Sequence, residues 1–404
     1  MLWGGRFRKD PKKAVLAFNS KESISIDERL VPYDIIGSIA HVSMLKKQKI
    51  LNAEEADAIL EALGAVKDEW ESGRFKLDPS LEDVHMNVEV QVTKRTPHGK
   101  AMHTARSRND QVNLDMRLYM RDEADRAISS LKSIQKALKV QGSQAVAIPA
   151  HTHTRVAQPI TNRFWGDAYG VSFGKDIERL LQIRKRINRN PLGACAIAGT
   201  TWDIDRKYTA KLLGFDSVEE NELETISSRG ELESELVFCL SLISVQLSRI
   251  AEDLIWFSYI GLVELPEEYC TGSSIMPNKV NPDALELVRA RSARVMGNLM
   301  AILALMKGTP TGHNADTQET KRMVMDSFDT AIPCLEITAE IVGKIKWDKG
   351  KGEELIRNGY ARATLLADKK AMQGTPFRKA HEEVGTLIRK LQKEKKHLED
   401  VERL

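Results

Sequence analysis

The residue types best suited to chemistry lie in a Gly/Ser-rich segment at residues 271–283, TGSSIMPNKVNPD. Within about a dozen positions it combines a flexible Gly-Ser-Ser run, the ammonium of Lys279 and the expected start of a helix. Backbone N–H groups, the positive end of a helix dipole and an ammonium can together hold a carboxylate. Asn281 alone is more simply explained as a helix cap, since Asn is common there. The run as a whole predicts a carboxylate-binding loop.

Three other polar segments carry residue types that bind anions or transfer protons. They are residues 149–159 (PAHTHTRVAQP), 103–111 (HTARSRNDQ) and 313–321 (HNADTQETK). His151 and His153 have the spacing of a metal-binding pair, but no carboxylate cluster follows them, so we predict no metal site. Arg106 and Arg108 suit bidentate carboxylate binding, with a salt-bridged helix start as the alternative. The third segment, taken alone, is typical of an ordinary polar loop.

Long amphipathic helices are expected to position these segments. In residues 231–258, apolar side chains recur at steps of three and four residues, the pattern of a helix packed lengthwise against others: Leu236, Leu240, Ile243, Leu247, Ile250, Leu254 and Phe257. Similar patterns cover residues 111–141, 160–187, 282–307 and 318–345, and shorter helices are expected at 32–49 and 53–72. These patterns predict an all-α fold with a long central helical bundle flanked by two smaller helical domains.

The predicted domains are an N-terminal helical domain at residues 1–107, the central bundle at 108–347 and a small C-terminal helical domain at 348–404. Asp348 opens a DKGKG run that is typical of a hinge between the last two. The final KLQKEKKHLEDVERL predicts a charge-rich surface helix.

Composition excludes several classes of protein. The 404 residues are 29% charged and 42% hydrophobic, which is typical of a globular chain. The 60 basic and 57 acidic residues are mixed along the chain, so a dedicated nucleic-acid-binding protein is not expected. The four cysteines form no CxxC pair, which favours reduced thiols. Neither a signal peptide nor a membrane span is predicted, and we expect a cytoplasmic protein.

The polar motifs, in their order along the chain, resemble those of the fumarase/aspartase superfamily: RSRNDQ, THxxxAQP, GSSIMPxKxNP and the Gln-Glu-x-Lys loop. Within that superfamily the chain is most similar to argininosuccinate lyases. The segments that carry this resemblance are LWGGRF, ERLVPYDIIGSIAH, LEDVHMNVE, HTARSRNDQV, NPLGACAIAGTTWDIDR and GLVELPEEY. It extends from residue 2 to about residue 385.

The resemblance implies a cofactor-free anti β-elimination that converts argininosuccinate to arginine and fumarate. It implies a homotetramer whose active sites combine loops of three subunits, with the central domain as the tetramer core. The implied catalytic residues are Ser273 as general base, Lys279 and Asn281 as holders of the developing anion, and His153 paired with Glu286. The implied substrate-binding residues are Ser23, Ser107, Arg108, Asn109, Thr152, His313, Gln318 and Lys321. Which group protonates the leaving nitrogen stays open.

Several positions depart from the family pattern. Arg155 stands where the family has glutamine, His313 where it commonly has tyrosine, and Ala105 where it has glycine. The segment MPNKVNP replaces MPQKKNP, and the C-terminal domain is shorter than is usual. Two alternatives therefore accompany the main hypothesis: a lyase for a different N-substituted aspartate, and a non-catalytic paralogue. Retention of the implied catalytic residues argues against the second.

Overall fold

The computed structural model describes residues 12, 14, 15, 18 and 23–401. Its α-helices in chain order are α1 (Ser23–Asp27), α2 (Val31–Lys47), α3 (Ala53–Glu71), α4 (Val84–Arg95), α5 (Arg108–Gln141), α6 (Asn162–Ile187), α7 (Arg206–Leu212), α8 (Glu222–Ser227), α9 (Glu231–Tyr259), α10 (Asp283–Met306), α11 (Thr320–Lys344), α12 (Lys349–Asn358), α13 (Ala363–Met372) and α14 (Phe377–Glu394). Its strands are β1 (Ala147–Thr152), β2 (Arg155–Thr161), β3 (Arg189–Asn190), β4 (Ser217–Val218), β5 (Val263–Glu264) and β6 (Lys346–Trp347). They form three two-stranded sheets in the described residues.

The five predicted long helices are confirmed as α5, α6, α9, α10 and α11, and their ends lie within a few residues of the predicted ones. Every apolar position of the stripe in α9, from Leu236 to Phe257, is buried. The mostly helical fold expected from periodicity is therefore confirmed, and the strands are minor.

The chain forms two compact units, and each long helix contributes residues to both. One unit comprises residues 1–126, 179–240 and 295–329, and the other comprises 127–178, 241–294 and 330–404. The predicted division at residues 107 and 347 stays a prediction.

In the first unit, α2 and α3 pack together, and α3 begins with a capping box in which Asn52 and Glu55 bond to each other's backbone N–H groups. An apolar cluster joins the start of α5 to α2 and α7; its members are Ala40, Leu114, Leu118, Leu192, Ala210, Leu213 and Phe215. Arg184 of α6 forms a bidentate ion pair with Asp125 of α5, at 2.6 and 2.8 Å.

In the second unit, the helices are joined by aromatic and polar contacts. The Asp253 carboxylate of α9 accepts hydrogen bonds from Trp165 Nε1 and Tyr169 Oη, both at 2.8 Å. Trp165 also makes ring contacts with Phe257 and Trp347. Further along the chain, α13 and α14 enclose a small core of their own, formed by Leu366, Ala367, Val384, Leu391 and Leu398.

Three local expectations are wrong. The DKGKG run is the start of α12 instead of a hinge, because the Asp348 side chain caps it by accepting from Lys351 N at 2.8 Å. The C-terminal helix stops at Glu394, since Lys395 takes a left-handed conformation with φ 54° and a 3₁₀ turn follows at Leu398–Asp400. Asn281 does not cap α10: its side chain donates to Gly272 O at 3.2 Å, and Pro282 O accepts the first helical bonds.

One helix in the described residues, α9, is long and apolar enough to cross a membrane by length and composition. However, 61% of its most apolar window is buried inside the protein, as in the core helix of a globular protein. Helix α9 therefore resembles a membrane span in length and composition but has the burial of a core helix.

Candidate active site

The loop at residues 271–281 is closed at its base and exposed along its length. Thr271 and Asn281 pair as an antiparallel bridge, with N–H···O distances of 3.0 and 2.7 Å. Within the loop, Ser273 Oγ accepts hydrogen bonds from the backbone N–H groups of Ile275 and Met276, at 3.3 and 3.1 Å. Two amide donors directed at one hydroxyl oxygen stabilise negative charge on it. The loop therefore places two backbone donors where they would stabilise a Ser273 alkoxide.

Lys279 and Glu286 are both exposed. In the described part of the chain, the Lys279 ammonium makes no hydrogen bond or ion pair, so it is free to meet an anion. Glu286 lies in the first turn of α10, where a carboxylate also complements the helix dipole. One loop and the start of the helix that follows it thus carry four of the expected catalytic residues: Ser273, Lys279, Asn281 and Glu286.

His153 lies at the tip of a β-hairpin that the sequence did not predict. Strands β1 and β2 pair antiparallel up to Thr152 and Arg155, so His153 and Thr154 form a two-residue turn. Both have positive φ, 54° and 58°, which suits the twist of a two-residue hairpin turn but is unusual for a β-branched residue such as Thr154. Thr152, His153 and Arg155 are all exposed. The imidazole therefore lies at the exposed tip of a short two-residue turn.

In the first unit, a buried carboxylate ties two sequence motifs together. Asp110 accepts hydrogen bonds from the backbone N–H groups of Ser107, Gly193 and Cys195, at 3.0, 3.0 and 2.9 Å. Burial raises the pKa of Asp110 in spite of these donors. Asn109 adds a second tie, since its Nδ2 donates to Ala196 O at 3.0 Å. The RSRNDQ segment and the PLGACAIAGTT segment therefore form one structural element.

This element lines a cavity of about 450 Å³, whose wall includes His103, Arg106, Ser107, Arg108, Cys195 and Ala196. Arg108 pairs with Glu89 at 2.6 Å and also donates to Gln111 at 3.1 Å. Arg106 is buried, and in the described residues its Nε and Nη2 lack hydrogen-bond partners. Burial and Arg106 lower the pKa of His103 to about 2, so its ring is neutral. The cavity wall therefore contains two guanidinium groups, the groups that can bind carboxylates bidentately.

The loop at residues 313–321 brings a second set of cations together. Lys321 is buried and forms an ion pair with Asp27, which is also buried. Burial, and then the nearby Arg229, lower the pKa of His313. Arg229 is buried and donates from Nη2 to Thr317 O at 3.1 Å, while its Nε and Nη1 have no partner among the described residues.

Gln318 and Ser23 are the remaining residues expected to bind substrate. Gln318 ends a 3₁₀ turn and is exposed. Ser23 begins α1, but its side chain lies outside the described residues.

Sequence reasoning did not find Asp27, Asp110 or Arg229. Each is a buried charged residue, and burial of a charge requires a partner or a function. Asp110 lies inside a segment already singled out, but its partners are 83 and 85 residues away along the chain. Only the folded structure shows these partnerships.

Among the described residues, Asp34, His85 and Asp115 form a group whose arrangement could hold a metal ion, and all three are buried. His85 Nδ1 lies 2.7 Å from Asp34 Oδ1 and 3.5 Å from Asp115 Oδ2. The first is a hydrogen-bond distance, and Arg106 is close enough to influence the ionisation of both carboxylates. Burial and the Asp34 carboxylate raise the pKa of Asp115. A hydrogen-bonded cluster with its own cation explains this geometry better than a metal site.

Comparison with known proteins is consistent with this geometry. The chain matches a family model described as lyase over residues 5–297 and one described as argininosuccinate lyase C-terminal over residues 360–403. It is 44% identical to the argininosuccinate lyase of Methylococcus capsulatus over 405 residues, which covers 99% of this chain and 86% of that protein. It is 43% identical to the argininosuccinate lyase of Azotobacter vinelandii over 392 residues, covering 96% and 84%.

Solved structures show the same fold. The structure of EDDS lyase in complex with formate matches with a TM-score of 0.84 at 27% identity, covering 96% of this chain and 78% of that one. The class II fumarase of Schistosoma mansoni matches with a TM-score of 0.79 at 17% identity, covering 97% and 88%. The fumarase-like fold expected from the motifs is confirmed.

Proposed function

The chain belongs to the argininosuccinate lyase family, and from this premise we propose that it cleaves argininosuccinate to arginine and fumarate. The reaction is a β-elimination. A proton leaves the carbon next to a carboxylate, the bond from the neighbouring carbon to nitrogen breaks, and the nitrogen gains a proton. A proton on such a carbon is barely acidic, so the anion that forms must be stabilised by fixed cations and donors.

The observation that carries the proposal is the pair of amide donors on Ser273. A serine hydroxyl is a poor base unless its alkoxide is stabilised, and the N–H groups of Ile275 and Met276 are directed at Oγ. Ser273 then accepts the proton from carbon. Lys279, an exposed ammonium on the same loop, and Asn281 neutralise the developing anion.

His153 and Glu286 are proposed to work as a pair. A carboxylate next to an imidazole orients the ring and favours its protonated form, which suits a group that manages the proton of the leaving nitrogen. Both side chains are exposed in a single chain, His153 on a hairpin tip and Glu286 on the first turn of α10. Exposed catalytic groups are expected if the site is completed by a neighbouring subunit.

We propose that Ser107, Arg108, Asn109 and Thr152 bind the succinyl carboxylates, and that His313, Gln318, Lys321 and Ser23 bind the rest of the substrate. The cavity beside Arg108 supports the first assignment, because it contains two guanidinium groups and a neutral His103. Arg108 is already paired with Glu89, and a guanidinium has enough N–H groups to keep that pair while it binds a carboxylate.

We further propose that the protein is a cytoplasmic homotetramer with shared active sites. The long helices expose large apolar side chains that a monomer would leave in water; examples are Phe164 (66% exposed), Trp256 (51%) and Met300 (64%). Packing of these helices against other copies would bury them. The four cysteines are free thiols, which suits a reducing compartment.

The test of the reaction follows fumarate by its ultraviolet absorbance. Purified protein is given argininosuccinate, adenylosuccinate, aspartate and malate in parallel, with Ser273→Ala as the matched control. We expect turnover of argininosuccinate alone and none from the variant.

Activity only on another succinyl compound would support the elimination reaction but not the proposed substrate, and Arg155 and His313 would then be the candidates for the changed specificity. Normal turnover by Ser273→Ala would remove Ser273 as the base.

A further inference from the structure

The hairpin that presents His153 is strained at its tip, so its position depends on what packs against it. His153 and Thr154 both hold left-handed backbone conformations, and Thr154 is β-branched, which makes that conformation especially unfavourable. The tip is exposed and contributes little packing of its own. The strands behind it must therefore be fixed by another element.

That element is α12, which approaches the hairpin through two glycines. A Cβ atom on Gly352 would lie 2.1 Å from the carbonyl oxygen of Ala147, the first residue of β1. A Cβ atom on Gly359, which follows the last residue of α12, would lie 2.5 Å from Cγ1 of Val156 in β2. Real Cβ contacts are not this short. Only glycine at both positions allows the helix to lie so close to both strands.

The two contacts lie at different heights along the hairpin. Ala147 is at its base, whereas Val156 pairs with His151, two residues before His153. Gly352 and Gly359 are seven positions apart, about two helical turns, so they lie on one face of the helix. One helix face therefore fixes both the base of the hairpin and the part next to its tip.

The helix itself is anchored at both ends. At its start, Asp348 caps Lys351 N, and Asp348 N donates to Leu262 O at 3.0 Å. After its end, Arg362 pairs with Glu353 of α12 at 2.8 Å and with Glu399 at 2.7 Å. A helix held in this way can act as a fixed wall for the hairpin.

We propose that Gly352 and Gly359 are positioning residues that set the place of the His153 imidazole through the hairpin. The proposal rests on the catalytic role proposed for His153. Neither glycine contacts the reacting atoms. Their function is to let α12 lie against the strands at a distance that no side chain permits, so that the strained turn projects the ring in one direction.

The test compares Gly359→Ala and Gly352→Ala with Gly385→Ala, a glycine in α14 where a new Cβ meets nothing within 4 Å. For argininosuccinate we expect the first two variants to lose about tenfold or more in kcat, with KM changed less than about threefold, because small misplacements of a catalytic group cost this much. Gly385→Ala should match the wild type. Wild-type kcat in a folded Gly359→Ala protein would overturn the proposal.

Rescue separates positioning from general damage. Val156→Gly removes Cγ1, Cβ and Cγ2, the three atoms that a Cβ on Gly359 would meet at 2.5, 2.7 and 3.0 Å, so Val156→Gly/Gly359→Ala should regain part of the lost kcat. A double variant no more active than Gly359→Ala would count against the mechanism. If Gly352→Ala fails to fold because its Cβ clashes with the backbone of Ala147, the comparison of Gly359→Ala with its double variant still tests the proposal.

Crystal structures of wild type and Gly359→Ala provide a readout that does not depend on activity. A displaced hairpin tip is expected, and an unmoved tip would refute the proposal even if the wild-type enzyme had no activity on argininosuccinate. Absence of wild-type turnover, in contrast, would refute the proposed function and leave this structural test valid.

Discussion

Replacement of Lys321 by Met should destabilise the protein because it leaves the Asp27 carboxylate buried without its partner. The side chains of Lys321 and Asp27 are only 3% and 1% exposed. Removing one member of a buried ion pair typically costs about 3–5 kcal/mol of unfolding free energy. We expect a cost of about 3 kcal/mol, at the lower end of that range, because the buried Arg229 is close enough to interact with Asp27.

The assay is urea denaturation at one fixed protein concentration, since subunit association would otherwise shift the midpoint. Lys346→Met is the matched control, because Lys346 pairs with Glu264 at 2.8 Å but both side chains are more than two-thirds exposed. That control should leave unfolding unchanged. Asp27→Leu/Lys321→Met should recover most of the stability yet stay inactive if Lys321 binds substrate. If Lys321→Met is as stable as the control, the pair is not a buried ion pair in solution, and the reasoning fails.

Three other perturbations test the ionisation of His41, the backbone strain at Cys195 and the sharing of active sites between subunits. Burial lowers the pKa of His41 to about 3. Below pH 6.5 the imidazole is therefore protonated in the unfolded chain but stays neutral in the folded protein, which lowers the unfolding free energy. We therefore expect the unfolding free energy of the wild type, measured in urea, to fall by about 2 kcal/mol more than that of His41→Gln between pH 6.5 and pH 5. Equal losses in the two proteins would contradict this. Cys195 has a left-handed backbone conformation with φ 53°, which glycine adopts without strain. The unfolding free energy of Cys195→Gly in urea should therefore exceed that of Cys195→Ala by about 1 kcal/mol, and equal values would mean that the backbone is unstrained. If the proposed shared sites exist, mixing the Ser273→Ala and His153→Ala proteins should restore partial fumarate release after subunit exchange, whereas inactivity despite proven exchange would mean that one chain builds each site.

The sequence predicted the long helices well because their signal is local. An apolar stripe at steps of three and four residues needs no knowledge of distant partners, and Leu236 to Phe257 in α9 are buried as that stripe requires. The hairpin at residues 147–161 was missed because its tip, His-Thr-His-Thr-Arg, has no alternation of apolar and polar residues. The hinge was wrongly predicted from two glycines, although Asp348 before them was a signal for a helix cap.

The candidate site was predictable as a set of motifs but not as a structure. Ser273 was found by residue type and resemblance, whereas the two amide donors that make it a plausible base depend on how the loop folds. Asp110 was inside a recognised motif, yet its role depends on amides more than 80 residues away. Interactions over such separations leave no periodic trace in the sequence, so one chain read alone does not reveal them.

The groups assigned to chemistry and the groups that support them differ systematically in burial. Ser273 is partly exposed, and His153, Lys279 and Glu286 are exposed, on a hairpin tip, a loop and a helix start respectively. Residues that fix the backbone of the candidate site segments are buried instead: Asp110 joins the RSRNDQ and PLGACAIAGTT segments, and Gly352 lies against the hairpin that carries His153. An exposed group can meet substrate and a neighbouring subunit, but it keeps its geometry only if its backbone is fixed from behind. Replacing an exposed group should therefore remove activity at little cost in stability, whereas replacing a support should reduce both.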